Sequence, residues 1–418
     1  MNILVIGGGG REHAICWKLK QSKRVDKIYC IPGNGGIREI AECHGEISAC
    51  DLEGILNFVN SHKDIKFTVV APDDPLALGL VNLLEENGHR VFGPKKEAAI
   101  IESSKVFSKN LMKKYGIPTA AYETFDNFEK AHKYCKTAKY PIVVKADGLA
   151  LGKGVIICKN FADAENALKD MMQNKVFGNS GSKVVIEEFL TGTEVSILAF
   201  TDGKTIVPMV SSKDYKRAFD GDKGLNTGGM GNFSPSNVYT EEHAKKAYSE
   251  IFVKTMGALN AENRKFKGVI YFGLMINGSD IKVLEYNARF GDPETQVLLP
   301  RLKNDLLKIF ESITDEKLED IKIEWDEDVC VCVVLASGGY PQSYKKELKI
   351  EIKNLDKEIL LFHAGTKVLN GNLVTNGGRV LNVCAKAKTI KEAREKIYKN
   401  ICKITFDGMF YRKDIAQF

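Results

Sequence analysis

A chain of 418 residues is too long for one compact core, and at roughly 150 residues per domain it predicts about three units in series. With 44% hydrophobic and 27% charged residues it has the balance of a globular protein and not of a disordered one. The net charge of +6 is scattered among Asp and Glu instead of massed in runs, which excludes a duplex nucleic-acid footprint and suits anionic small-molecule substrates. No apolar run approaches the roughly 18 residues of a membrane span, and none of the ten cysteines falls in a CxxC spacing. The expectation is buried thiols in a reducing, cytoplasmic setting, with no nucleic-acid or membrane partner. The opening Met1 to Ile6 reads as a strand with no leader segment before it.

From residue 2 to about 93, short apolar runs (Ile3 to Ile6, Lys27 to Ile31, Phe67 to Ala71, Arg90 to Phe92) alternate with helical segments such as Arg11 to Lys20 and Leu52 to Ser61. That rhythm predicts a small Rossmann-like parallel sheet. Between the first strand and helix lies Gly7-Gly8-Gly9-Gly10-Arg11-Glu12, where free backbone N–H groups and the helix dipole favour a phosphate or carboxylate. A dinucleotide fingerprint fails here, because Glu12 or His13 stands where the last glycine is required. Gly93-Pro94 marks a first boundary, and a charged helical stretch follows from Glu97 to Tyr115.

From Pro141 to about Ile313 close-set strands predict antiparallel sheet with helices on one side. Gly148 to Gly154 joins strand Ile142 to Lys145 to strand Val155 to Cys158; it is too short for a Walker A loop and has Gly154 in place of Ser or Thr. It reads as a flexible hairpin able to fold over phosphates, with Lys145 and Lys153 to neutralise them. Strand Val184 to Leu190 runs into Thr191-Gly192-Thr193-Glu194; its backbone could pair with a purine edge and Glu194 could accept ribose hydroxyls. Lys213 to Gly231 is polar and glycine-rich, a long substrate loop. In Ile281 to Glu294, Glu285 and Asn287 share one face of a strand at about 6.5 to 7 Å, two hard oxygens for a metal on ATP phosphates. Arg289 continues that face and could clamp a carboxylate or acyl phosphate. After a charged segment, Thr314 to Asp328, the chain returns to short strands and turns and ends in a helix from Ile390 to Ile401.

Taken in order these segments resemble the glycinamide ribonucleotide synthetase (phosphoribosylamine-glycine ligase) family, within the ATP-grasp fold, over the whole chain. The residues that carry it are Gly7 to His13, Lys145 to Ala150 with Gly152 to Val155, Asn226 to Gly231, Glu285 to Gln296, His363 to Lys367 and Asn376 to Val380. The resemblance implies an α/β and α+β chain of three domains. They are a Rossmann-like unit (1–100), an ATP-grasp unit (101–325, with a mobile subdomain at about 120–190) and a small mixed α+β unit (326–418). It implies that Lys105, Lys145 and Lys153 contact ATP phosphates, that Glu187, Glu188, Phe189 and Leu190 hold adenine and Glu194 the ribose, and that Glu285 and Asn287 bind Mg2+ or Mn2+.

It further implies that Asp214, Arg289, Asp292 and Pro293 lie against glycine and 5-phosphoribosylamine. Gly9, Gly10, Arg11 and Glu12, with Thr366, Lys367, Gly378 and Arg379, surround the ribose phosphate. Arg289, Asp214 and Lys145 are the implied catalytic groups, acting through a glycyl phosphate. A monomer is expected, with a dimer as the alternative. Family members usually carry Gln-Asp-His-Lys-Arg and Gly-Pro-Asn-Thr where this chain has Lys213 to Arg217 and Gly224 to Thr227. The strand Tyr271 to Ile276 supplies no second acidic metal ligand. Competing readings are a carboxylase of the same fold, a nicotinamide-dependent dehydrogenase and a non-catalytic nucleotide module. Glu285→Gln and Arg289→Ala are both expected to lower turnover with the fold intact.

Overall fold

The computed structural model describes residues 1–149 and 154–418. The N-terminal sheet is parallel throughout, with strands Asn2–Gly7, Lys27–Pro32, Glu42–Cys43, Ile65–Val70 and Val91–Phe92 in the order third, second, first, fourth, fifth. Ile3 to Ile6 are all fully buried because helices cover both faces of the central strand, which is why that strand reads as an unbroken apolar run. Strand order reverses between the first and fourth strands, so the loops leaving them open a crevice at their carboxyl ends. Arg11 and Asp73 stand in that crevice. The two-residue strand Glu42–Cys43 has no pattern of its own in the sequence; it exists by pairing with Tyr29 and Cys30.

The middle of the chain forms the expected antiparallel sheet, as two four-stranded sheets. The first holds Tyr122–Phe125, Val184–Glu188, Ile142–Ala146 and Val155–Cys158 in that order, backed by helices Phe128–Thr137 and Phe161–Leu168. The second holds Ile206–Pro208, Thr193–Thr201, Gly268–Asn277 and Asp280–Asn287. The chain changes sheets at Gly192, whose φ of +143° and close approach to the Ile276 carbonyl exclude a side chain. Strand spacing alone does not report such a change of partner. Lys145 Nζ crosses from the first sheet to donate to the Leu284 carbonyl at 3.2 Å, and the cleft lies between.

The C-terminal five-stranded sheet takes two strands from mid-chain: its order is Lys213–Asp214, Gly231–Ser234, Val329–Ala336, Arg379–Ala387, Ile359–His363. The stretch read as one long loop is therefore an edge strand, a hairpin (Arg217–Phe219 with Lys223–Asn226) and a second strand. Its pairing partner comes about a hundred residues later, beyond the reach of local pattern. Helix Ile390–Ile401 packs Ala393, Ile397 and Ile401 on this sheet. All ten cysteines are free and seven are buried. No helix among the described residues is long and apolar enough to cross a membrane.

The first and last sheets meet at two buried histidines. His363 N donates to His13 Nδ1 at 2.8 Å, and His363 Nδ1 lies 3.2 Å from Thr366 Oγ1. Burial, helped by the charge His363 would carry, pushes His13 down to about 3, and burial pushes His363 down to about 4. The unfolded chain takes up protons below about 6.5 while the folded chain does not, so stability falls as pH drops from there towards 4. Each histidine should cost about 1.4 kcal/mol per pH unit in that window. Urea unfolding at pH 7 and pH 5 should show the loss, and His13→Asn should reduce it; an unchanged slope in the variant would contradict the assignment.

Candidate active site

The cleft between the two middle sheets has a volume of about 490 Å³ and is walled by all three parts of the chain. Its floor is the strand Asp280–Asn287, and the way this strand presents its polar groups depends on one irregularity. Ile281 and Val283 are buried in the core, yet in a regular strand they would share a face with Glu285 and Asn287. Pairing with the neighbouring strand runs Val283 to Leu274 and then Glu285 to Gly273, leaving Leu284 as a bulge. The extra residue reverses the alternation. Tyr286 and Ala288 now enter the core, and Glu285, Asn287 and Arg289 line the cleft that Lys145 also lines.

Helices supply the next layer. Ser104 caps helix Lys105–Tyr115 by accepting from Phe107 N at 3.1 Å, and it donates to Asp147 Oδ1 at 3.0 Å. Lys105 therefore stands in the first turn of a helix, where the dipole disfavours a cation, and burial lowers its pKa further. A lysine held against both effects marks a place prepared for anions. Its Nζ donates to the Gly148 carbonyl at 2.9 Å, at the base of the glycine hairpin. Lys153 lies outside the described residues, as does the rest of Ala150 to Lys153.

Glu187 is buried, and its Oε2 accepts from Lys145 at 3.0 Å and Lys109 at 3.1 Å; its Oε1 has no partner among the described residues. Burial lowers Lys109 to about 8. Lys109 and Lys145 share this one buried carboxylate and Lys105 lies near Lys145, which leaves net positive charge for a polyphosphate. Glu188 turns outward to Lys282 at 2.9 Å and Phe189 is exposed. Neither side chain enters the cleft, and neither does Leu190.

Lys216 enters from the hairpin and bonds both Glu194 and, at 3.2 Å, Glu285. Burial opposes its charge, but the two carboxylates hold its pKa well above the usual lysine value. Lys216 in turn, against burial and with help from Lys145 and Lys105, lowers Glu285 to about 2. Glu285 is thus a permanent carboxylate. Asp214 and Glu294, both facing the cleft, go the other way: burial raises both, and their mutual repulsion adds to Asp214's shift.

Arg289 is paired with Glu102 at 2.8 Å, and its buried Nε has no partner among the described residues. The Asn287 amide, with nitrogen and oxygen assigned by its neighbours, donates to Glu102 Oε1 at 3.0 Å and to the Tyr286 carbonyl, so its oxygen is left for another contact. Around the first glycine loop, Gly9 N donates to Glu12 Oε2 at 2.6 Å and Arg11 N to Asp292 Oδ2 at 3.2 Å. Those amides already carry carboxylate partners. Arg11, Asp292 and Arg379 line the cleft, with Arg379 3.5 Å from Asp292. Pro293 packs against Gly229, Gly378 against the Tyr340 ring, and Lys367 pairs with Glu347 on the surface at 2.7 Å. Thr366 is buried beside His363.

The family description Phosphoribosylglycinamide synthetase, N domain, matches residues 1–102; the ATP-grasp (A) domain of the same family matches 103–295 and its C domain 330–418. The chain belongs to the phosphoribosylglycinamide synthetase family. It is 49% identical to the phosphoribosylamine–glycine ligase of Halalkalibacterium halodurans over 100% of this chain and 96% of that one. It is 48% identical to the ligase of the same name from Clostridium acetobutylicum over the full length of both. The crystal structure of phosphoribosylamine–glycine ligase from Thermotoga maritima superimposes with a TM-score of 0.86 at 35% identity, covering 99% of this chain and 100% of that one. The biotin carboxylase domain of Hydrogenobacter thermophilus 2-oxoglutarate carboxylase, solved with MgADP and bicarbonate, shares the fold at a TM-score of 0.76 and 15% identity, over 98% of this chain and 91% of that one.

Within this family framework, a metal fits the cleft in one way. The described residues contain no group of three or more His, Cys, Asp or Glu able to hold an ion, and the adjoining strand presents Tyr271 to the cleft. Glu285 and Asn287 offer two hard oxygens. Mg2+ is usually held by one or two such groups, with phosphates and water completing the shell, so this donor set suits an ion that arrives with a nucleotide. Sequence reasoning passed over Glu102, Lys109, Lys216 and Glu294. Glu294 lay inside the quoted run Glu285 to Gln296 and was within reach; Glu102 and Lys109 sit in an ordinary charged helical pattern that carries no signal.

Proposed function

We propose that this chain is an ATP-dependent carbon–nitrogen ligase that joins glycine to 5-phosphoribosylamine, a step of purine biosynthesis. The observation that carries this reading is the convergence of Glu285, Asn287, Arg289 and Lys145 on one cleft, brought about by the bulge at Leu284. A glycine carboxylate lacks a leaving group. One of its oxygens attacks the γ-phosphorus of ATP and ADP departs; the amine of phosphoribosylamine then attacks the carbonyl carbon of the glycyl phosphate, and phosphate leaves with that oxygen as the amide forms.

Lys105, Lys145 and Lys153 neutralise the triphosphate, the strand end Glu187 to Leu190 holds adenine, and Glu194 holds the ribose. Mg2+ or Mn2+ at Glu285 and Asn287 supplies charge neutralisation on the phosphates. Arg289 faces the reacting carboxylate and the charge that develops on it. Asp214 and Asp292 bind the amino and ribose parts of the substrates, and Arg11, Thr366, Lys367 and Arg379 take the ribose phosphate. The units divide near 100 and 325, with strands Lys213–Asp214 and Gly231–Ser234 lent by the middle unit to the last sheet, and the sheet at about 120–190 closes over ATP to exclude water. The chain acts as a cytoplasmic monomer on small molecules.

A coupled ADP assay with freshly generated phosphoribosylamine tests the reading. ADP release should require glycine and phosphoribosylamine together, and bicarbonate should not replace glycine. Release with bicarbonate in place of glycine would point to a carboxylase, and quenching on NADH addition to a dehydrogenase.

A further inference from the structure

The hairpin that brings Lys216 to the cleft has little support of its own. Two short strands pair only at Arg217 with Asn226 and Phe219 with Lys223, and Phe219 and Leu225 are exposed. Its base is closed by Thr227, which bonds the Lys216 carbonyl through both N (2.7 Å) and Oγ1 (2.9 Å). Within it Arg217 Nη1 donates to the Gly224 carbonyl at 2.9 Å, and further attachment comes from the last nine residues of the chain.

Arg412, only 1% exposed at its side chain, is the centre of that attachment. Its Nη1 donates to the Arg217 carbonyl at 3.2 Å and to Asp222 Oδ1 at 2.8 Å. A bidentate pair to Asp414, at 2.7 and 2.6 Å, fixes the fork, and the guanidinium lies 4.9 Å from the centre of the Tyr215 ring. Asp414 also accepts from Gly221 N at 2.8 Å, and Asp220 accepts from Lys413 N at 2.7 Å. The strap is itself anchored to the C-terminal sheet through the paired backbones of Phe410 and Ala336. A buried arginine with two carboxylates is a costly arrangement for stability alone, since apolar residues would serve as well. Its use here is geometric.

We propose that Arg412 is a positioning residue for the ligase reaction: it clamps the Arg217 to Asn226 hairpin so that Lys216 is held between Glu194 and Glu285. The clamp acts on the nucleotide half of the cleft. The backbone of Asp214 is held by an edge strand paired directly to Asn232 and not by the hairpin, so the half proposed to hold glycine should feel the clamp much less than the nucleotide half. This inference rests on the proposed function for its substrate names, and on geometry for the clamp.

The test is a split between substrates. Arg412→Met should raise KM for ATP at least fivefold and lower kcat about tenfold, with KM for glycine within twofold of wild type; amide exchange should accelerate over 217–226. Should that variant fail to fold, Asp222→Asn decides. Asp222 is 71% exposed at its side chain and has a φ of +53°, which Asn tolerates, so the fold should survive the loss of the charge. It should move KM for ATP in the same direction, about threefold. Equal rises in KM for ATP and glycine, or no change in either with faster exchange at the hairpin, would overturn the proposal. If the wild-type chain releases no ADP with glycine and phosphoribosylamine, the functional reading fails alone. The clamp is then judged by ADP affinity, which Asp222→Asn should weaken if Lys216 is positioned through it and leave unchanged if it is not.

Discussion

Glu285→Gln should lower kcat by about two to three orders of magnitude while the melting temperature hardly moves, the scale of losing one group that stabilises transferred charge. Glu285 is partly open to the cleft, and glutamine keeps its shape and an acceptor for Lys216 at 3.2 Å. What disappears is the charge. Because Lys216, outweighing burial, holds the carboxyl near 2, it is ionised at every working pH, and the deficit should be the same at pH 6 and pH 9. Higher Mg2+ should be needed for half-maximal rate. A variant with normal turnover at ordinary Mg2+ would remove Glu285 from the chemistry.

Arg289→Ala should also suppress turnover, by at least a hundredfold, but it should not leave the fold untouched as the sequence alone suggested. Glu102 is buried, accepts from Ala288 N at 2.7 Å and pairs with Arg289 at 2.8 Å. Even so paired, burial raises its pKa to about 7. Taking Arg289 away leaves that carboxylate without its cation, a loss of about 3–5 kcal/mol when one partner of a buried pair is removed. The double variant Arg289→Ala with Glu102→Gln separates the two effects: unfolding should return most of the way to wild type, and activity should not. Recovery of turnover in the double variant would show that Arg289 serves Glu102 and not the substrate.

The sequence made the strands and the glycine turns legible because each is written in a local pattern: the unbroken apolar run of Ile3 to Ile6, or the polar run from Glu285 to Glu294. It located the group Glu285, Asn287 and Arg289 correctly as neighbours, though a regular strand would have turned Glu285 and Asn287 towards the core with Ile281 and Val283. The bulge at Leu284 that corrects this depends on the partner strand at Gly273, and no residue of 281–287 announces it. Likewise Lys216 owes its place to Arg412 and to a sheet completed by Val329–Ala336, and Glu102 owes its place to a helix whose own pattern is ordinary. Contacts made across long sequence distance set these positions, so propensity and periodicity do not contain them.

The most direct test of acyl-phosphate activation follows the oxygen. Glycine labelled with 18O in its carboxylate, turned over with ATP and phosphoribosylamine, should yield inorganic phosphate carrying one labelled oxygen, and glycinamide ribonucleotide retaining the other. Unlabelled phosphate from a chain that still forms the amide would contradict transfer of the γ-phosphoryl group to glycine in this cleft.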